Sequence, residues 1–202
     1  MTRRTPGAAS GDLFGGAEPR HSLFFALLPA PEVASAIAGA GDAIASGLPA
    51  QAGRPVPVHR LHLTLCWLGE WAALPPSTVA AARLAAERLR QPAFALRLDQ
   101  AACFGHGEVV WVLCPASPPQ ALGALHDALV HALLHQGQRP AGGQRFAPHV
   151  SLRRRATTHF AAMPAGPVDW PVAELALVHS ERGAGGVDYH VLGRWPLLPG
   201  EA

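Results

Sequence analysis

Residues 60–66 read Arg60-Leu61-His62-Leu63-Thr64-Leu65-Cys66, and residues 146–152 read Phe146-Ala147-Pro148-His149-Val150-Ser151-Leu152. The first stretch alternates strictly, so a strand there turns its leucines to one side and His62, Thr64 and Cys66 to the other. The second repeats the order histidine, any residue, hydroxyl, leucine. Chance supplies such a triplet about once in a chain this rich in histidine, so placement carries the argument. Upstream of His62 lie an apolar run at 23–28 closed by Pro29, a helical pattern from Pro31 with Val33, Ile37, Ala40 and Ile44 on one stripe, and a Gly/Pro link over 47–57. Upstream of His149 lie a strand pattern at 109–114 closed by Pro115, a helical pattern from Pro118-Pro119 with Leu122, Leu125, Leu129 and Leu133 on one stripe, and a Gly/Pro link over 137–143. Pro29 and Pro115 are 86 residues apart, and His62 and His149 are 87 apart. Near-equal offsets of this kind are a duplication.

The remaining patterns fit the same plan. A helix is expected from Ser77 to Arg90 with Val79, Ala82, Ala86 and Leu89 inward. Strands are expected at 94–98, 172–179 and 188–195, the last two joined by a glycine turn at 183–186. The fold expected is α+β: two pseudo-symmetric β-α-β lobes whose antiparallel sheets face a central cleft. They form one bilobal domain over 21–197, with motif strands near 61–66 and 147–152 and a flexible leader over 1–20. Phe25 and Trp111 occupy equivalent strand positions and read as core.

Composition narrows the chemistry. A chain of 202 residues with 49% hydrophobic residues can bury a core without staples. Its net charge of +2 excludes a duplex binder that works by broad counterion release. Every basic residue is arginine, so lysine nucleophiles, Schiff bases and phosphate-loop lysines are excluded. Three cysteines, Cys66, Cys103 and Cys114, have no C-x-x-C spacing and read as reduced thiols. Neither a signal-peptide core nor an apolar run of spanning length is present, so a cytoplasmic protein that does not engage membranes is expected. Eleven histidines direct attention to acid-base work near neutrality.

Two opposed strands, each presenting an imidazole with a hydroxyl two residues on, suit in-line displacement at phosphorus. One imidazole takes a proton from the attacking oxygen, the other supplies one to the leaving oxygen, and the hydroxyls donate to the non-bridging oxygens. No metal is needed for this arrangement. A serine hydrolase fits poorly, because Ser151 lies two residues along one strand from His149.

These residues resemble the paired H-x-[ST]-x motifs of the 2H phosphoesterase superfamily. The surrounding segments, Leu23-Phe24-Phe25-Ala26, Arg60 to Leu65 followed by Leu68-Gly69-Glu70, and Phe146 to Leu152 followed by arginines, are similar to its RNA 2′,3′-cyclic phosphodiesterase branch, the LigT-like 2′-5′ RNA ligases. The resemblance spans residues 22–195. It implies hydrolysis of terminal 2′,3′-cyclic phosphate to a 2′-phosphomonoester on RNA ends, with no metal or other cofactor, and in some members reversible 2′-5′ ligation. It further implies His149 as base, His62 as acid, Thr64 and Ser151 on the non-bridging oxygens, and an arginine five residues past the second histidine. That arginine is Arg154. Strict alternation would instead bring Arg153 to the His149 face, so Arg154 requires a bulge or strand end. Ser151 stands where threonine is common, keeping the hydroxyl without β-branching.

The other candidates read as ordinary. His59 is a loop residue, Cys66 is a small hydrophobe that shares the His62 face, and His131 and His135 lie on a solvated helix face without the glutamate of a zinc motif. His179, Tyr189 and His190 lie on the terminal strands, within possible reach of substrate. A monomer is expected. The competing readings are a cyclic phosphodiesterase of small nucleotides and a non-catalytic module that binds RNA ends.

Overall fold

The computed structural model describes residues 20–48, 53–105, 108–141, 146–183 and 185–200. The expected leader lies outside these residues except for Arg20, which opens the first strand instead of ending a leader. Within the described residues, nine strands and three α-helices follow in the order β1 (Arg20–Leu27), α1 (Pro31–Ser46), β2 (Arg54–Pro55), β3 (Leu63–Trp71), α2 (Pro76–Glu87), β4 (Phe94–Phe104), β5 (Val109–Cys114), α3 (Gln120–His135), β6 (Val150–Ala156), β7 (Met163–Val172), β8 (Glu174–Gly183) and β9 (Gly186–Pro196). None of these helices is long and apolar enough to cross a membrane.

The strands order as β7-β4-β5-β6-β3-β1-β8-β9, with β2 beside β6, and every pairing between them is antiparallel. The two halves of this order are equivalent. One motif strand, β3, is backed by β1, β8 and β9, and the other, β6, by β5, β4 and β7. Among the described residues, β3 and β6 pair only where Leu63 opposes Val150, so the lobes are two half-sheets that meet at the first residues of their motif strands. The motif strands run later than alternation suggests: β3 starts at Leu63, after a short 3-10 turn over Val58–Arg60, and β6 starts at Val150. His62 and His149 each stand one residue before their strand.

Helices α1 and α3 reach across between the halves. Helix α1, which follows β1, packs over β7 and β6 of the other half-sheet, and α3, which follows β5, packs over β3 and α2. Helix α3 buries Leu122, Leu125, Leu129 and Leu133 completely, the stripe its periodicity marks. On α1 the buried stripe is Ala34, Ile37, Gly41 and Ile44, shifted by one from the expected Val33 and Ala40, with Gly41 lying against the Leu152 side chain. The residues of β7 give no strand pattern in sequence, since Pro164, Pro167 and Pro171 interrupt it. This strand lies at the edge of the sheet, where missing N–H groups face no partner. Phe25 and Trp111 are fully buried, as their equivalent positions imply.

Candidate active site

Each motif strand carries the same irregularity. Between β1 and β3, Phe25 opposes Cys66 and Ala26 opposes Thr64, leaving Leu65 without a partner residue. Between β5 and β6, Trp111 opposes Arg153 and Val112 opposes Ser151, leaving Leu152 without one. Leu65 and Leu152 both stand three residues after the motif histidine. An extra residue inverts the alternation beyond it, so the side chain four residues past each histidine turns away from the cleft and the fifth turns towards it. Cys66 therefore enters the core, 4% exposed, instead of sharing the His62 face, and Trp67 takes its place beside Thr64 on the cleft wall. In the other half, Arg153 turns back towards Asp42, 4.0 Å away, with its side chain 14% exposed. Arg154 lines the cleft. Strict alternation favours Arg153, and the bulge is why it fails.

The imidazoles are held alike. His62 Nδ1 lies 2.7 Å from the carbonyl oxygen of Arg60, and His149 Nδ1 lies 2.8 Å from that of Ala147. A carbonyl only accepts, so Nδ1 carries hydrogen and donates in both rings, and Nε2 is left to exchange protons with a ligand. Aromatic rings fix the planes. His62 sits between Phe24, at 5.0 Å, and Tyr189, edge-on at 5.5 Å, while Phe104 meets His149 edge-on at 4.8 Å.

Burial is the main cause that drives the His62 imidazole down to about 4, against the upward pull of the Arg60 carbonyl; the charges of Arg154, His149 and Arg60 push it further. His149 is lowered by burial first and by Arg154, again opposed by its carbonyl. Both rings are therefore neutral in the empty cleft, and an approaching anion is what raises their basicity. His62 is held down the more firmly of the two.

The cavity beside His62 has a volume of about 330 Å³. Thr64, Phe24, Trp67 and Tyr189 line it with four arginines, Arg20, Arg60, Arg154 and Arg182, against one carboxylate, Glu70. Glu70 is engaged by Arg20 at 3.2 Å. A chain of net charge +2 thus concentrates cations at one place. Ser151 is half-buried, two residues beyond His149 on β6. Neither lines this cavity; Arg154, whose charge bears on both imidazoles, connects the two sides.

Sequence patterning did not single out the site roles of Phe24, Phe104, Trp67 or the outer arginines. Phe24 alone carried a signal, since alternation along β1 places it opposite the core residues Leu23 and Phe25. Tyr189 reaches the site, whereas His179 and His190 lie on the other face of β8 and β9. His59, His131 and His135 are exposed.

The sequence profile of the 2′-5′ RNA ligase superfamily matches residues 30–184. The RNA 2′,3′-cyclic phosphodiesterase of Escherichia coli is 37% identical over 159 residues, 76% of this chain and 85% of that protein. The RNA 2′,3′-cyclic phosphodiesterase of Thermus thermophilus is 33% identical over 187 residues, 87% of this chain and 89% of that protein. The crystal structure of E. coli LigT in apo form superposes with a TM-score of 0.75 at 33% identity, covering 90% of this chain and 99% of LigT.

Proposed function

The chain belongs to the 2′-5′ RNA ligase superfamily, and from that membership we infer that it is a hydrolase, an RNA 2′,3′-cyclic phosphodiesterase, working by two-histidine acid-base catalysis without a metal. The observation that carries the reading is the matched pair of imidazoles: each has Nδ1 committed to a backbone carbonyl two residues upstream, and each is followed by a hydroxyl two residues on. Water attacks phosphorus as His149 Nε2 takes its proton. The P–O3′ bond breaks and His62 Nε2 gives its proton to O3′, leaving a 2′-phosphomonoester and a 3′-hydroxyl. Thr64, Ser151 and Arg154 stabilise the charge on the non-bridging oxygens as it builds. Since His62 is neutral in the empty cleft, the phosphate anion must bring it into the protonated state, and run backwards the two histidines exchange duties. The same geometry serves 2′-5′ joining. The expected setting is the cytoplasm and the expected unit is a monomer.

The deciding experiment incubates the protein in EDTA with an oligoribonucleotide ending in 2′,3′-cyclic phosphate and maps the product end. Appearance of the 2′-phosphate, lost in both His62→Ala and His149→Ala, is expected. No turnover by the wild type, or turnover unchanged in both variants, overturns the reading.

A further inference from the structure

Strands β1 and β8 turn alternate residues to the cleft, and the residues between face the other way. Arg20 and Ser22 line the cleft, so His21 lies behind; Ser180 and Arg182 line it, so Glu181 lies behind. His21 opposes Glu181, and His179 opposes Leu23 on one side and His190 on the other. The result is a cluster on the back of the sheet that no step of the proposed reaction uses. One ligand atom each from His21, His179 and Glu181 falls within 4.8 Å of the others. His21 Nδ1 and His179 Nε2 are only 2.9 Å apart, their rings stacked at 5.1 Å. His190 closes the group, with Nε2 3.7 Å from a Glu181 oxygen and its ring 5.4 Å from that of His179.

Two imidazole nitrogens at this separation share either a hydrogen, one ring donating its N–H to the other's lone pair, or a metal ion held by both lone pairs. An ion about 2.0–2.1 Å from each nitrogen sets them about 2.9 Å apart at a right angle and about 3.4 Å apart in a tetrahedron. The observed 2.9 Å matches the right-angle spacing and lies about 0.5 Å below the tetrahedral one. A carboxylate beside imidazoles is the donor set of a borderline transition dication, whereas magnesium and calcium demand oxygens. The cluster is half-buried to exposed, so an ion can enter.

We propose that His21, His179 and Glu181 bind a zinc-type divalent ion on the back of the sheet, tying β1 to β8 behind the cleft. The site is separate from catalysis and does not rest on the reading of the cleft.

The full chain, stripped with EDTA and dialysed, is titrated with Zn²⁺ by calorimetry and with Co²⁺ by visible absorption. One equivalent should bind, with a Co²⁺ d–d spectrum and a rise in Tm, while Mg²⁺ gives neither. His21→Ala and His179→Ala should each weaken Zn²⁺ binding by at least about tenfold, whereas His131→Ala, on the other exposed histidine pair, should leave it unchanged. Should either histidine variant fail to fold by circular dichroism, Glu181→Gln decides, again by a loss of at least about tenfold. Absence of one-equivalent binding in the wild type overturns the proposal. So does a site that survives the folded His21, His179 and Glu181 variants, or one that disappears in His131→Ala.

Discussion

His62 and His149 owe their usefulness to what surrounds them. A histidine driven down to about 4 in the folded chain binds fewer protons there than in the unfolded chain, where its value is near 6.5. Stability is therefore intact above pH 6.5 and falls as the pH drops from there towards 4. Urea melts across this window should show that slope, and His62→Gln should flatten it. In activity, the alkaline limb of kcat should lie at higher pH than that of kcat/KM, because bound phosphate restores the proton that the empty cleft repels. Coincident limbs would contradict this. Arg154 lowers both imidazoles, so Arg154→Ala should raise both values in an NMR titration. It should also reduce kcat by about 10²–10³, the usual cost of one donor to a developing oxyanion. Arg153→Ala should leave both imidazoles where they are and act on stability.

At the scale of the element, one unpaired residue three positions past each motif histidine decides which side chains face the cleft. Leu65 puts Cys66 in the core, where burial raises its thiol to about 12. Native protein at neutral pH should leave Cys66 unmodified by a disulfide reagent, and unfolding should release it; rapid native labelling would return Cys66 to the cleft wall. Leu152 does the same to Arg153 and Arg154. The four-leucine stripe of α3 is legible in sequence because a helix keeps its period over sixteen residues. A bulge is not legible from alternation, because it depends on which residue the neighbouring strand offers opposite, about forty residues away in sequence; the one before Arg154 is expected only because the family resemblance places an arginine there.

For the whole molecule, two half-sheets are joined, among the described residues, through one pair between β3 and β6, and α1 and α3 reach across it. Leu63 is fully buried at that junction, so Leu63→Ala should cost about 2–5 kcal/mol by urea denaturation. The cleft gathers four arginines within a chain of small net charge. RNA binding should weaken with salt along a slope no steeper than about −3 in log K against log salt, the limit for four phosphate contacts on a single strand; a much steeper slope would mean a far wider grip. The paired motifs, their equal offsets, the leucine stripes and the absence of lysine were all determined by the sequence alone. They suffice for a duplicated α+β fold with one histidine and one hydroxyl from each half. Only the tertiary structure decided that Trp67 faces the cleft while Cys66 does not, that a bulge turns Arg154 there in place of Arg153, as the family resemblance required, that α1 and α3 reach the opposite half-sheet, and that Arg20 and Arg182 join the site. The reason is physical: a local period is written in neighbouring residues, whereas strand register, bulges and the convergence of charges arise from contacts between segments far apart along the chain.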